Sequence, residues 1–234
     1  MGYSKKEAPN CDWCPYKKSC FYELITDKQS KRAWREMRLA NRFKSGETVF
    51  YEGEQPRGLF VVCKGKVKIH KSSRTGQQLI TRIESPGDLL GHISLLAQGA
   101  YTSNAEALEE SVVSMIDEKS FLDFLVKFPR SALALLRALA HDVRRGENKA
   151  RDIAFKPARG RLADSLLRMM VSGKPRPIVA GLKRKDLAEM SGLTIETTVR
   201  LLNDFGKRGV LKKRERDLVI LNEDQLRTLA GVSA

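Results

Sequence analysis

Residues 186–205 read DLAEMSGLTIETTVRLLNDF, and this segment is the most informative about the architecture of the chain. Its first half has the apolar spacing of a short helix that ends at Gly192, a residue that tolerates a sharp turn. Thr194 is then placed to cap a second helix. The buried face of that second helix is predicted to comprise Leu201, Leu202 and Phe205. Two helices joined in this way have the spacing of a helix-turn-helix, a motif that places its second helix in the major groove of DNA.

The second helix carries side chains suited to reading base edges. Glu196 and Arg200 are four residues apart and therefore project from one face, with Thr197 beside them. Glutamate can accept a hydrogen bond from the cytosine amine, and arginine can donate two to guanine, so this pair suits a G·C step. The alternative interpretation is an ordinary surface ion pair between Glu196 and Arg200.

Basic charge is concentrated around the same segment. The chain of 234 residues has 43 Lys and Arg against 28 Asp and Glu, a net charge of +15. Residues 156–216 hold 16 of the basic side chains and only 6 of the acidic ones. Charge of this density favours binding to a nucleic-acid backbone over an evenly solvated basic surface.

A two-stranded wing is predicted at residues 210–221, which read VLKKRERDLVIL. Its basic tip would touch phosphates and position the second helix without reading sequence. The residues predicted to bind DNA are Lys183, Thr194, Glu196, Thr197, Val199, Arg200, Lys212 and Lys213.

Composition narrows the class of protein. A hydrophobic content of 41% supports one or two domains with a core rather than a disordered chain. The sequence lacks the roughly 18 consecutive apolar residues of a membrane span, and its start resembles no secretory signal. We therefore expect a soluble cytoplasmic protein without a membrane partner. A DNA-processing enzyme is the alternative of another class, but only the charge supports it, because the sequence has no HExxH, GxSxG or P-loop motif.

Residues 41–116 read as short strands separated by glycine turns. Runs rich in Val, Ile, Phe and Thr are divided by turn signals at Gly53, Gly76 and Gly87. This spacing predicts a small all-β barrel or roll.

After Asp117 the pattern becomes helical, and its later part repeats with a period near 3.5 residues. The predicted dimer interface is an a/d seam formed by Leu136, Leu139, Val143, Gly146, Ala150 and Ile153. Such a seam is narrower than the usual core-facing side of a helix, and pairing with a second copy would give a two-fold homodimer. The alternative is that the seam packs on the β domain. Gly146 and Ala150 bury little, so we expect weak pairing in the second half.

The order of these parts resembles the CRP/FNR family of bacterial transcription regulators over nearly the whole chain. The stretches that carry the resemblance are GETVFYEG (46–53), LFVVCKGKVK (59–68), PGDLLG (86–91) and LTIETTVRLL (193–202). The resemblance implies an α+β fold with an N-terminal β jelly roll, a long dimerisation helix and a C-terminal winged helix-turn-helix. It also implies a homodimer that binds a palindromic promoter site and contacts RNA polymerase, and it implies no enzymatic activity.

The predicted segments are a cysteine-rich N-terminus at 1–30, a β-roll sensor domain at 31–128, the dimerisation helix at 129–156 and the DNA-binding domain at 157–234. The family's Glu-x3-Arg pair falls on Glu196 and Arg200, which implies a TGA-type core in each half-site. Ile195 stands where cyclic-AMP receptors carry a guanine-reading Arg, and Val199 stands where FNR-type readers carry Ser. The outer base of the half-site is therefore left open.

Cyclic AMP is not expected as the signal. In the family its binding needs a carboxylate and an Arg shortly after the Pro-Gly-Asp motif. Here His92 replaces the carboxylate and no Arg occurs between Arg82 and Arg130, so a buried phosphate would lack a cation. His70, His92 and His141 belong to a residue type that can bind haem or a metal. Because no spacing pairs these histidines, we assign no haem.

The cysteines suggest a metal or redox site. Cys11, Cys14 and Cys20 form a C-x2-C-x5-C pattern. This pattern resembles the spacing in the oxygen-sensing FNR regulators, where three such cysteines help hold a [4Fe-4S] cluster. The resemblance places the fourth ligand of those regulators at Ser114, which is not a cysteine here.

Cys63 is the remaining cysteine, and it lies on an earlier strand. In a jelly roll that strand and the Ser114 strand are expected to be neighbours, about 4.8 Å apart. We therefore hypothesise that Cys11, Cys14, Cys20 and Cys63 hold a [4Fe-4S] cluster that responds to oxygen, nitric oxide or redox state. The alternatives are zinc, as in a structural zinc-holding DNA-binding module, a thiol/disulfide switch, or no metal. Cys63 by itself could also be a buried apolar side chain.

Overall fold

The computed structural model describes residues 2–173, 175–215 and 217–231. Two compact units are present: one comprises the segment up to Lys71 with Arg82–Arg145, and the other comprises Ser72–Thr81 with the segment from Gly146 onward. Ser72–Thr81 lies inside the segment predicted as the β-roll domain, and the long helix is divided between the units. The segment boundaries inferred from sequence therefore remain predictions. In the described ranges, no helix is both long and apolar enough to cross a membrane.

The first unit opens with short helices and continues as a β roll. A 3-10 turn at Lys17–Ser19 precedes helices α1 (Phe21–Leu24) and α2 (Lys28–Glu36). The strands are β1 (Leu39–Phe43), β2 (Thr48–Phe50), β3 (Gly58–Lys64), β4 (Val67–Ser72), β5 (Gln78–Glu84), β6 (Leu89–Leu90), β7 (Asn104–Ala107) and β8 (Ser111–Asp117). Two four-stranded sheets result, ordered β1-β8-β3-β6 and β2-β7-β4-β5. The predicted β jelly roll is confirmed.

Three further helices accompany the roll and lead out of it. They are α3 (His92–Leu96), between β6 and β7, α4 (Glu118–Lys127), directly after β8, and α5 (Pro129–Phe155), the long helix. The N-cap residue Asp117 starts α4, because its side chain accepts a hydrogen bond from the backbone N–H of Ser120 at 2.9 Å.

Strand β3 is buried on both faces, which explains its uninterrupted apolar run. Phe60 and Val62 belong to a core that draws side chains from both sheets. Leu59 and Val61 point the other way, into a second core that we call the outer core. The outer core consists of Cys11, Phe21, Tyr22, Ile25, Trp34, Leu59, Val61, Leu89, Leu95, Ile116, Phe121, Phe124, Ala134 and Leu135. The outer core therefore joins the N-terminal segment to the roll, to α4 and to the first turns of α5.

The second unit is a winged helix-turn-helix, as predicted. Its elements are α6 (Ala158–Met169), β9 (Ile178–Val179), α7 (Arg184–Ser191), α8 (Ile195–Lys207), β10 (Leu211–Arg214), β11 (Asp217–Ile220) and α9 (Glu223–Ala230). The strands form a three-stranded sheet in the order β10-β11-β9. Helices α7 and α8 are the helix-turn-helix pair, and the hairpin of β10 and β11 is the wing.

A buried network of charged and titratable groups connects β5, α3 and α5 within the first unit. Asp142 accepts a hydrogen bond from Nη1 of Arg82 at 2.5 Å, and its carboxylate lies 3.0 Å from Nε2 of His92. Glu84 is fully buried and pairs with Nε of Arg82 at 3.1 Å and with Nη1 of Arg145 at 3.3 Å. These contacts tie the roll to the first half of the long helix.

The two carboxyl groups of this network respond differently to their surroundings. Burial raises the pKa of Glu84 to about 7, and the charges of Arg82 and Arg145 oppose this rise only in part. Burial acts in the same direction on Asp142. Hydrogen bonds from His92 and Arg145 outweigh it, however, and hold the pKa of Asp142 well below its usual range.

Replacing Trp34 by Ala is expected to lower the free energy of unfolding by about 3–5 kcal/mol. Trp34 is fully buried, and its ring lies 5.0 Å from that of Phe21 and 5.5 Å from that of Phe124. Urea unfolding of the metal-free protein measures the loss. Trp13→Ala is the matched control, because Trp13 is 85% exposed. Equal losses in the two variants would contradict the role given to Trp34.

Replacing Glu84 by Gln is expected to flatten the dependence of stability on pH. The unfolded chain releases the Glu84 proton near pH 4.3, whereas the folded chain keeps it until about pH 7. Between these values the folded state binds more protons, so wild-type stability falls as pH rises. Gln cannot titrate, and this part of the slope disappears.

Urea unfolding at several pH values between 4 and 8 tests this expectation. Glu118→Gln is the control, because Glu118 is an exposed carboxylate at the start of α4. The expectation fails if Glu84→Gln and wild type show the same slope.

Candidate DNA interface and candidate cysteine metal site

Helix α8 begins where the sequence predicts it. Oγ1 of Thr194 accepts a hydrogen bond from the backbone N–H of Thr197 at 3.2 Å, which caps the helix. Gly192 turns the chain between the two helices with a φ of +60°, in the left-handed region that favours glycine. Of the predicted buried face, Leu202 and Phe205 are buried and Leu201 is half-buried.

The exposed face of α8 forms a shallow open groove. Its lining consists of Ile195, Glu196, Val199, Arg200, Asn203, Asp204 and Lys207. The ion pairs of this helix join Asp204 to Arg159 and to Arg208, and within the described ranges none joins Glu196 to Arg200. The interpretation of Glu196 and Arg200 as a surface ion pair is therefore not supported.

The charge of Glu196 suits a hydrogen-bond acceptor. Its own backbone N–H, and then the hydroxyl of Thr194, hold the pKa of the Glu196 carboxyl below its ordinary value. The side chain is therefore ionised at neutral pH and can accept from an amine donor.

The other predicted DNA-binding residues lie mostly at the surface. Lys212 and Lys213 are exposed on β10, and Lys183 is exposed at the start of α7, where its backbone N–H donates to Oδ2 of Asp186 at 2.7 Å. Of the eight predicted residues, only Thr197 is half-buried, and the rest are exposed. The structure thus presents them to solvent on α8, at the start of α7 and on the wing.

The predicted dimer seam is largely uncovered in the single chain. Its exposed members are Leu136, Val143, Gly146, Ala150 and Ile153. Leu139 differs, because it is half-buried and packs against the outer core. The alternative that the seam packs on the β domain therefore applies to Leu139 alone.

The four cysteines line one cavity of the first unit. The cavity wall also includes Pro9, Tyr22 and Arg38. Cys20 caps helix α1, because its Sγ accepts a hydrogen bond from the backbone N–H of Tyr22 at 3.5 Å. All four thiols are free. Residues that are far apart in sequence, 11–20 and 63, thus contribute to one site.

Cys63 reaches this cavity from a bulge in β3. The register with β8 shifts between Val62 and Lys64, so Cys63 is the extra residue of the bulge, a feature that re-aims a side chain. Its Sγ lies 3.0 Å from Oγ of Ser114 on β8. The expectation that these two strands are neighbours is confirmed.

Burial keeps two of the thiols protonated. It raises the pKa of Cys11 to about 11, although the charge of Arg38 opposes the rise. It also raises the pKa of Cys20, against the hydrogen bond from the backbone of Tyr22. A metal that binds these cysteines must therefore displace their protons.

The shared cavity does not by itself form a ready metal-ion site. Within the described ranges, no group of three or more Cys, His, Asp or Glu side chains is arranged to hold a metal ion. The four cysteines share a cavity wall, and their binding of a metal stays a prediction.

The histidines lie apart from the cysteine cavity. His70 is buried beside Glu106 at 3.7 Å, His92 contacts Asp142, and His141 is exposed beside Arg144 at 3.1 Å.

Two kinds of residue could not be identified from sequence spacing. Arg38 lies in the cysteine cavity, and Asp142 and Glu84 form the buried network around His92. Each is a single charged residue with no pattern around it. A buried charged side chain usually has a partner, but burial is visible only in the folded structure.

Two family models match the chain. Residues 40–128 match the cyclic nucleotide-binding domain, and residues 160–229 match the Crp-like helix-turn-helix domain. The first match covers the β roll with α4, and the second covers the winged helix-turn-helix. Together the two models account for more than half of the chain.

The chain is also similar to individual proteins over most of its length. The CRP-like cAMP-activated global transcriptional regulator of Mycobacterium tuberculosis is 29% identical over 189 residues, which are 79% of this chain and 84% of that protein. The fumarate and nitrate reduction regulatory protein of Vibrio cholerae is 26% identical over 231 residues, covering 97% of this chain and 92% of that protein. The structure of FixK2 from Bradyrhizobium japonicum matches with a TM-score of 0.73 at 25% identity, covering 83% of this chain and 98% of that one.

These matches agree with the order of elements along the chain, in which a β roll is followed by a long helix and then by a winged helix-turn-helix. The relatives are transcription regulators and not enzymes, so the alternative of a DNA-processing enzyme is set aside. The chain belongs to the CRP/FNR family of transcription regulators.

Proposed function

We propose that the protein is a homodimeric regulator that binds palindromic promoter DNA and senses oxygen, nitric oxide or redox state through a [4Fe-4S] cluster. The proposed ligands are Cys11, Cys14, Cys20 and Cys63. The observation that carries the proposal is the meeting of all four cysteines in one cavity. As a promoter-binding regulator the protein would act in the cytoplasm and contact RNA polymerase.

The donor set of the cavity fits a [4Fe-4S] cluster. Four cysteine thiols are the ligands of an all-cysteine [4Fe-4S] site, and all four cysteines line this cavity. Zinc accepts the same four ligands, so the experiments below separate the two. The Vibrio cholerae relative also aligns over 97% of this chain, a span that includes the N-terminal cysteines. A thiol/disulfide switch uses the same residues and is the alternative that the experiments below exclude or support.

The outer core provides a route from the cysteines to the dimer seam. When bound, the cluster supplies a centre that oxygen and nitric oxide attack. Cys11 is part of the outer core, and Cys20 packs against it. Leu139 of the seam packs against the same core. We infer that rearrangement of the cysteine segment changes the packing beneath Leu139 and so the strength of dimer pairing.

DNA reading follows from the exposed groove of α8. Glu196 and Arg200 would read the G·C step of a TGA-type half-site, and Lys183, Lys212 and Lys213 would contact phosphates. Two copies joined along the seam would present two such helices to one palindromic site. Ile195 and Val199 also line the groove, and they would face the outer base of the half-site.

Cyclic AMP is not proposed as the signal, although the Mycobacterium tuberculosis relative is named for its activation by it. His92 already contacts Asp142, and the cations Arg82 and Arg145 are paired with Glu84 and Asp142. An anionic ligand would have to compete with these carboxylates for the same two guanidinium groups.

Arg200→Ala is expected to weaken binding to a TGA-type site by about 1–3 kcal/mol and to relax the choice of base opposite it. Lys212→Ala is the matched comparison, because a lost phosphate contact weakens binding to all sequences alike and lowers the salt slope by about 1. Titration of matched and mismatched DNA at several salt concentrations measures both effects. Unchanged discrimination at the guanine in Arg200→Ala would refute the assignment of the reading helix.

Anaerobic reconstitution is expected to give about four iron and four sulfide per chain, with absorbance near roughly 400 nm that bleaches in air. The loaded protein should sediment as a dimer and bind the palindrome, and both properties should weaken with the bleaching. Stoichiometric zinc without colour would overturn the cluster, and reversible disulfide formation without iron uptake would favour the thiol switch.

Cys63→Ser is expected to lose the cluster while keeping the fold. Because Sγ of Cys63 lies 3.0 Å from Oγ of Ser114, the double variant Cys63→Ser, Ser114→Cys places a thiol directly beside the lost one and should regain iron and sulfide. Full loading of Cys63→Ser alone would show that Cys63 is not a ligand. Far-ultraviolet circular dichroism of the metal-free variants checks the fold.

A further inference from the structure

Arg38 is a buried cation in the wall of the cysteine cavity. It lies between α2 and β1, and only 4% of its surface is exposed. Nη2 donates a hydrogen bond to the carbonyl oxygen of Pro9 at 2.8 Å, and Nη1 lies 3.8 Å from Sγ of Cys63. The guanidinium therefore bridges the N-terminal segment and the strand that carries Cys63.

No carboxylate of the residues that the structure describes balances this charge. Nε of Arg38 has no hydrogen-bond partner within the described ranges, and none of the ion pairs found there includes Arg38. The nearby carboxylate of Asp12 pairs instead with Arg35 and accepts a hydrogen bond from Tyr22. A buried cation without an anion is strongly unfavourable, so the arrangement calls for an anion that the protein itself does not provide.

The proposed cluster is such an anion. Four thiolates carry four negative charges and a [4Fe-4S] core in its stable state carries two positive ones, which leaves a net charge of two minus. We propose that Arg38 is the charge partner of the loaded cysteine site and holds the cluster by neutralising part of that charge beside Cys63. This inference rests on the proposed function, because it requires that the cysteines bind a cluster.

Two consequences follow from a cation at this position. A positive charge beside the cluster favours the more negative, reduced state, so Arg38 raises the reduction potential. The hydrogen bond to Pro9 also fixes the chain two residues before Cys11, so Arg38 is a positioning residue as well as a charge.

Three variants distinguish the effect of the Arg38 charge from the effect of Arg38 packing. Arg38→Met keeps the length and apolar stem but removes the charge, and Arg38→Lys keeps the charge. Arg42→Met is the control, because the Arg42 side chain is 64% exposed and pairs with Glu7 at the surface. Each protein is reconstituted anaerobically, and iron and sulfide are followed during exposure to a chelator. The reduction potential is measured by anaerobic titration, and the stability of the metal-free protein by urea unfolding.

Arg38→Met is expected to lose its cluster about 10–100-fold faster than wild type, the range typical of changes next to metal ligands, and to have a lower reduction potential. Arg38→Lys should recover part of both properties, and Arg42→Met should match wild type. In the metal-free form the effect of the substitution on stability should be reversed. The free energy of unfolding of Arg38→Met should be at least as large as that of wild type, because an unpaired buried charge has been removed. A purely structural arginine would not produce this reversal.

The outcomes distinguish the two proposals. If wild type takes up no iron and sulfide, the proposed function fails. If wild type loads normally and Arg38→Met retains its cluster and potential, only the inference about Arg38 fails. Equal destabilisation of the metal-free and loaded forms in Arg38→Met would also overturn it, since that result identifies Arg38 as a packing residue.

Discussion

The packing around Trp34 is the interaction that holds the first unit together. The indole ring lies against the rings of Phe21 and Phe124. The N-terminal segment, whose helices are short, is thereby anchored to the roll and to α4. Without this anchor the three N-terminal cysteines would belong to a short, weakly structured segment. They would then not be held near Cys63 to form the shared cavity. The same apolar cluster extends to Leu139, so the anchor of the cysteine segment is also the support of the dimer seam.

The buried charged side chains of the first unit occur in two different surroundings. Around His92, the carboxylates of Glu84 and Asp142 meet the guanidinium groups of Arg82 and Arg145, so the charges of that network compensate one another. At the cysteine cavity, Arg38 contacts a carbonyl oxygen and a thiol, and no carboxylate of the described residues pairs with it. The first arrangement joins the roll to the long helix. The second is where we propose an anionic occupant.

The DNA-binding unit could be predicted from the sequence more fully than the cysteine cavity, because its elements depend on short-range interactions along the chain. The elements of the DNA-binding unit were predictable because each has a local cause: Gly192 permits the turn, Thr194 caps α8 through the N–H of Thr197, and the basic wing lies on a hairpin. Among the residues predicted to read bases, the tertiary structure added that Glu196 and Arg200 are exposed and that no described ion pair joins them. Prediction was less complete for the buried face, where Leu201 is only half-buried, since burial at the margin of a helix depends on its neighbours.

Sequence alone was enough to predict the strand-rich roll, the long helix with its a/d seam, the helix-turn-helix and the cysteine spacing, because these depend on periodicity, turn residues and caps within a few positions along the chain. The direction of Cys63 toward the N-terminal cysteines depends instead on a bulge between Val62 and Lys64. The presence of Arg38 in the same cavity and the contact of Asp142 with His92 likewise follow from tertiary packing. These residues lie far apart along the chain, so the register of strands and the packing of helices, rather than local pattern, set their geometry.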